Sequence, residues 1–105
     1  MTQTNEVWTH SDGRIRVLRW GKFFEGKTDV CVTWVKFYYP GVWGRDFAAY
    51  ANRTGLQTAT NAALSQGSTE RWYYSIPIDR AKERAARFRK SALSQGFSMI
   101  GRFNI

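Results

Sequence analysis

The chain has 105 residues, enough for one domain (1–105) that buries about two-thirds of its unfolded surface, and too few for a second. Sixteen Lys and Arg against eight Asp and Glu leave a net charge of +8, which exceeds what solubility needs and favours a polyanionic partner, nucleic acid (DNA or RNA) before all others. A single Cys and a single His exclude an intrachain disulfide and a Cys/His zinc centre, so no metal or cofactor is expected.

Asp12-Gly13, between two alternating runs, signals a hairpin joining a strand over about 6–11 to one starting at Arg14. Glu25-Gly26 signals a second, pairing 14–24 with 27–37. With two-residue turns at both places, Glu6 faces Arg19 and Lys22 faces Asp29. The same register puts Arg14, Arg16, Leu18, Trp20, Lys22 and Phe24 on one sheet face with Lys27, Thr33, Val35 and Phe37. Trp8, Ile15, Val17, Val32 and Trp34 then fall on the other. The second face reads as core. The first mixes cations with aromatics, as a surface does when phosphates meet Arg and Lys while bases stack on Trp20 or Phe24. A helix laid over it would leave the arginines at the rim, and a slip of one residue would exchange the faces.

Gly21 to Thr28, "GKFFEGKT", matches the phosphate-loop pattern G-x-x-x-x-G-K-[ST]. That loop must lead into a helix whose first N–H groups cradle the phosphates. Here "TDVCVTWVKFYY" follows, and its Val, Thr, Trp, Phe and Tyr suit a pleated strand. The match is therefore read as a hairpin, and no nucleotide cofactor is expected.

Pro40-Gly41 closes the third strand, and "WGRDFAAYANRTGLQTATNAALSQG" reads as helical in two pieces. Phe47, Tyr50 and Ala51 share one face, Leu56, Ala59 and Ala63 another, and the phase breaks near Thr54-Gly55. "RWYYSI" is a strand ended by Pro77, its adjacent aromatics falling on both faces, like those of "FYY" at 37–39, and most of them serving the core. Asp79 is the N-cap candidate for a helix over 79–95. "ALSQG" occurs at 63–67 and again at 92–96, each copy ending a helix with Gly where a left-handed C-cap needs it. "FSMIGRFNI" is a last strand. The expected fold is α+β: an antiparallel sheet starting with a three-stranded meander, then a helix (kinked or two), a strand, a basic helix and a C-terminal strand. An RNA-recognition domain has another element order and an aromatic signature absent here, and a helix-turn-helix leaves the hairpins unexplained.

Between Asp79 and Gln95 six basic and two acidic residues give the last helix +4, half the net charge. At 100° per residue Arg80, Arg84 and Arg87 form a row with Ser91 beside it. Ala81, Ala85, Phe88 and Ala92 form the apolar stripe, opposite Lys90. Such a row suits successive phosphates, although Glu83 at helical spacing from Arg80 and Arg87 also suits a plain solvated face. The candidate nucleic-acid contacts are thus Arg80, Arg84, Arg87 and Lys90 on the helix, with Arg14, Arg16, Trp20, Lys22 and Lys27 on the hairpins.

Two other functions fit the composition. One is a small protein-interaction or inhibitor module, for example from a mobile element, that docks on an acidic or nucleic-acid-handling protein. The other is a metal-independent ribonuclease stabilising a phosphorane-like state with Arg and Lys. No catalytic residue is assigned, because His10 lacks a recognisable partner. A cytoplasmic protein is expected: "MTQTNEVWTH" has no signal-peptide order, and no apolar run approaches the roughly 18 residues of a membrane span, so no membrane partner is expected. An exposed last strand, guarded by Arg102 alone, leaves room for a homodimer.

Overall fold

The computed structural model describes residues 3–21, 23–37 and 45–105. Five strands and three helices follow in the order β1 (Thr4–Thr9), β2 (Arg14–Trp20), β3 (Lys27–Lys36), α1 (Phe47–Thr54), α2 (Leu56–Ser65), β4 (Thr69–Pro77), α3 (Ile78–Ser94) and β5 (Ser98–Asn104). All strand pairs are antiparallel in the order β4-β3-β2-β1-β5, so the fold is the α+β arrangement expected from the sequence. Among the described residues no helix is long and apolar enough to cross a membrane.

The register differs from the expected one by a residue in both hairpins. His10 N–H donates to the Arg14 carbonyl at 2.9 Å, so the first loop has three residues, Ser11 to Gly13. Gly13 supplies the positive φ (+91°) that the last position of such a loop requires. A Cβ there would lie 2.9 Å from the Phe37 carbonyl oxygen, which leaves the position to glycine on two grounds. In the second hairpin Glu25 and Gly26, at φ 51° and 76°, make the expected tight turn, and Phe24 pairs with Lys27. Beyond it, however, Trp20 pairs with Val30. Between those two pairs the chain before the turn is one residue longer than the chain after it, and the ladder shifts accordingly.

Several expectations change with that shift. Glu6 faces Leu18, not Arg19. Trp8, Val32 and Trp34 join the face of Arg14, Arg16, Leu18 and Trp20, while Thr33, Val35 and Phe37 join Ile15 and Val17. Lys22 and the 38–44 segment, including two of the "FYY" aromatics and Pro40-Gly41, lie outside the described residues. "GKFFEGKT" is the second hairpin, with the Thr28 hydroxyl donating to the Gly21 carbonyl at 3.2 Å.

Both faces of the sheet carry helices. On one, Val7, Ile15, Val17, Val35 and Phe37 pack with Phe47, Tyr50 and Ala51 of α1 and Ala59 and Ala63 of α2. Phe37 meets Phe47 edge-on at 5.2 Å and stacks on Tyr50 at 5.5 Å. Asp46 caps α1 by accepting from the Ala49 N–H, and Gly55, at φ 94°, divides α1 from α2 where the phase break was expected. On the other face, α3 lays Ala81, Ala85, Phe88 and Ala92 against Trp8, Leu18, Val30 and Val32, the stripe that helical periodicity predicts. Three alanines in it let the helix axis approach the sheet closely.

The N-cap of α3 is Pro77, not Asp79. The Ile78 N–H donates to the Gly26 carbonyl at 3.1 Å, so the second turn sets the cap two residues earlier than expected and Asp79 falls in the first turn. At the other end Gly96 N–H reaches the Leu93 carbonyl and Phe97 N–H the Ala92 carbonyl, with Gly96 at φ +88°. That pair of bonds is a Schellman motif, and Gly96 is the left-handed C-cap expected of "ALSQG". Gly67 (φ +105°) repeats the first of them, donating to Leu64.

Candidate functional site

The two flanks of α3 have different electrostatics. Toward β1, Arg89 grips Glu6 with two hydrogen bonds of 2.9 Å, Trp8 Nε1 donates to the same carboxylate at 2.8 Å, and Arg102 of β5 lies 3.6 Å away. Glu6 is 2% exposed. Burial pushes its carboxyl pKa up, but the hydrogen bonds from Arg89 and Trp8 and the charges of Arg89 and Arg102 outweigh it and hold the group below the usual carboxylate range. On this flank the arginines have a carboxylate partner.

Toward β3 and β4 the opposite holds. Val32 pairs with Arg71 and Val30 with Tyr73, which brings those two β4 side chains beside α3. Arg84, Arg87 and Ser91 of the helix, Arg71 and Tyr73 of β4, and Arg16 and Trp34 of the hairpin line a cleft of 210 Å³. Every charged residue lining it is an arginine. Among the described residues none of Arg71, Arg80, Arg84, Arg87 and Lys90 makes an ion pair, and Glu83 does not bridge Arg80 and Arg87. The Arg84 guanidinium instead lies over Tyr73, its central carbon 3.8 Å from the ring centre.

Arg16 sits at the back of this cleft and is 5% exposed. Its Nη1 donates to Ser91 Oγ at 3.2 Å and Gln95 Oε1 at 3.1 Å, and its Nε has no partner. The guanidinium carbon is 4.6 Å from the Phe88 ring and 5.2 Å from Trp34. No carboxylate offsets the burial, which pushes its pKa down from the usual arginine value, although an arginine stays cationic in proteins. The far side of Arg16 and Trp34 opens on a second cleft of 510 Å³, lined also by Arg14, Lys36, Ser68, Thr69, Gln95 and Phe97.

Of the residues singled out from sequence, Arg16, Arg84 and Arg87 converge on one cleft, with Arg80 and Lys90 exposed on the same helix. Arg14 lies at the second cleft, with its Nε donating to Asp12 at 2.8 Å. Trp20 is half-buried against the α3 core, and Lys27 is exposed at the second turn, away from both clefts. Lys22 is outside the described residues. Sequence reasoning missed Arg71 and Tyr73, and assigned Trp34 to the core. Alternation along "ERWYYS" puts Arg71 and Tyr73 on one face, whereas Trp34 comes opposite Arg16 only through the extra residue beside the second turn, which no turn signal in the sequence marks.

Beyond the clefts, β4 turns Trp72 and Tyr74 to the α1–α2 face, stacked at 5.5 Å, with Tyr74 66% exposed rather than in the core. Cys31 is buried beside Thr33, and burial pushes its thiol pKa up, so it is a poor nucleophile. Among the described residues no group of three His, Cys, Asp or Glu is placed to hold a metal ion. Chemically, the clefts offer guanidinium donors and aromatic faces, a combination suited to anions carrying planar rings. Compared with protein-family models, curated proteins and solved structures, the chain matches none.

Proposed function

We propose that the protein binds nucleic acid mainly through its phosphates, with the cleft between α3 and β3–β4 as the contact surface. The observation that carries this reading is the convergence of Arg16, Arg71, Arg84 and Arg87 on a cleft whose lining includes no carboxylate. Neighbouring guanidiniums repel one another, so such an arrangement is costly until an anion enters, and phosphate takes two parallel hydrogen bonds from each fork. Arg80 and Lys90 extend the cationic surface along the helix. Because the lining supplies phosphate ligands and no acid–base pair, the protein acts in this reading as a binder, not a catalyst.

The test is fluorescence anisotropy of labelled DNA and RNA over a range of salt. Log affinity should fall linearly with log salt, and Arg84→Glu with Arg87→Glu should weaken binding to all sequences alike while lowering the salt slope by roughly 1 for each phosphate no longer neutralised. Affinity indifferent to salt and to both charge reversals would rule the reading out.

A second reading draws on Phe23 and Phe24, 57% and 72% exposed at the second turn, which suit an apolar pocket on a partner protein. Phe23→Ser with Phe24→Ser separates the two: nucleic-acid affinity stays intact if the α3 cleft is the working surface, and a protein partner is released if the turn is.

A further inference from the structure

Charge explains the smaller cleft, but not why a cation is buried at its back against an exposed tryptophan. Arg16 is 95% removed from solvent, has no carboxylate partner and keeps an unsatisfied Nε, yet it lines both clefts. A buried guanidinium without a counter-charge is strongly unfavourable, and its ring contacts and two neutral acceptors offset that only in part. Its position also fixes Trp34: the ring is backed by the guanidinium at 5.2 Å while remaining 36% exposed. A tryptophan held in this way presents a rigid π-face at the boundary between an arginine-lined cleft and a larger one.

We propose that the two clefts together form a site for one unpaired nucleotide of a single strand. The phosphate enters the 210 Å³ cleft against Arg71, Arg84 and Arg87, and the base enters the 510 Å³ cleft against Trp34, with Arg16 between them as the charge shared by both. The larger volume falls within the range of about 300–1,000 Å³ usual for small-ligand pockets. Its Ser68, Thr69 and Gln95 add hydroxyl and amide groups that can meet a base edge. A duplex keeps its bases paired and stacked inward and so offers none to such a cleft, whereas a single strand can splay one out onto an aromatic ring. The assignment rests on the nucleic-acid reading above and narrows it to single strands.

The experiment compares the whole protein's affinity for labelled single-stranded DNA, single-stranded RNA and a duplex of the same sequence at one low salt concentration, together with a single strand whose bases have been removed. Single strands, of one sugar or both, should bind at least about tenfold tighter than duplex or abasic strand. Trp34→Leu should lose roughly tenfold on single strands and nothing on duplex, while Trp34→Phe, which keeps the ring, should retain affinity. The abasic comparison uses the unaltered protein and stands even if a Trp34 variant folds poorly. Equal affinity for duplex, abasic and intact single strands would overturn the nucleotide site and leave the phosphate-binding reading standing. No binding to any of the four would overturn both.

Discussion

Glu6 and Arg16 stand on the same sheet face, both buried under α3, and their surroundings could hardly differ more. Glu6 accepts hydrogen bonds from two donors and lies among two cations, so its pKa is held below the value of 4.5 expected in the unfolded chain. The stability this contributes is complete above about pH 4.5 and is lost as pH falls through the lower folded value. Arg89→Ala leaves the carboxylate buried with only the Trp8 hydrogen bond and the Arg102 charge and should cost about 3 kcal/mol at neutral pH, the low end for a broken buried pair because Arg89 is partly exposed. In urea unfolding the gap between parent and variant should shrink as pH falls through the lowered folded value of Glu6; a gap undiminished by acid would mean that packing, not the ion pair, carries the loss. Arg16 has no such partner, so Arg16→Met should raise the stability of the free protein by about 1 kcal/mol while weakening nucleic-acid binding, a trade read from denaturation midpoints and anisotropy on the same samples.

At the scale of elements, what was legible depended on whether one residue more or less mattered. The stripe Ala81, Ala85, Phe88 and Ala92 recurs through about three turns of α3, and moving the cap from Asp79 to Pro77 shifts none of it. Arg84 and Arg87 were therefore placed correctly relative to the core. Strands have no such tolerance, since one residue reverses every side chain. Asp12-Gly13 serves a two-residue or a three-residue loop, and only the pairing of His10 with Arg14 distinguishes them. The extra residue beside the second turn carries no such signal, so Trp34 was read as core although it faces Arg16, and Arg71, from a strand whose neighbour was not known, was missed. The C-terminal cap of α3 was legible because it depends on a local φ: Gly96 lies at +88°, and a Cβ there would stand 3.1 Å from His10 Nε2. Gly96→Ala should thus cost about 1–2 kcal/mol in thermal or urea unfolding, more than Gly67→Ala, where the same φ problem arises with nothing within 4 Å.

Across the whole molecule, eight excess positive charges are unevenly compensated, with Glu6, Asp12 and Glu70 each engaged by a nearby arginine and the α3–β4 flank without one. Repulsion within that flank should ease as salt rises, whereas the buried Glu6–Arg89 pair is screened much less. The melting temperature of the free protein should therefore climb with sodium chloride, and phosphate should raise it further at equal ionic strength. A fall with salt would mean that favourable surface pairs dominate. The sheet also joins its earliest and latest strands: Gln3 and Ile105 exchange backbone hydrogen bonds of 3.1 and 2.9 Å, and Thr4 bonds to Asn104 across 100 positions of chain. Because β1 and β5 run antiparallel, residues 3 and 105 emerge side by side at the same end of the pair. A pulling force applied between them loads the β1–β5 hydrogen bonds one after another from that end, never all at once. The strands would peel apart like a zipper under tension far smaller than the same ladder would resist in shear, so a motor that pulled on residue 105 with residue 3 held would open the sheet first at its β5 edge, on the side away from the arginine cleft.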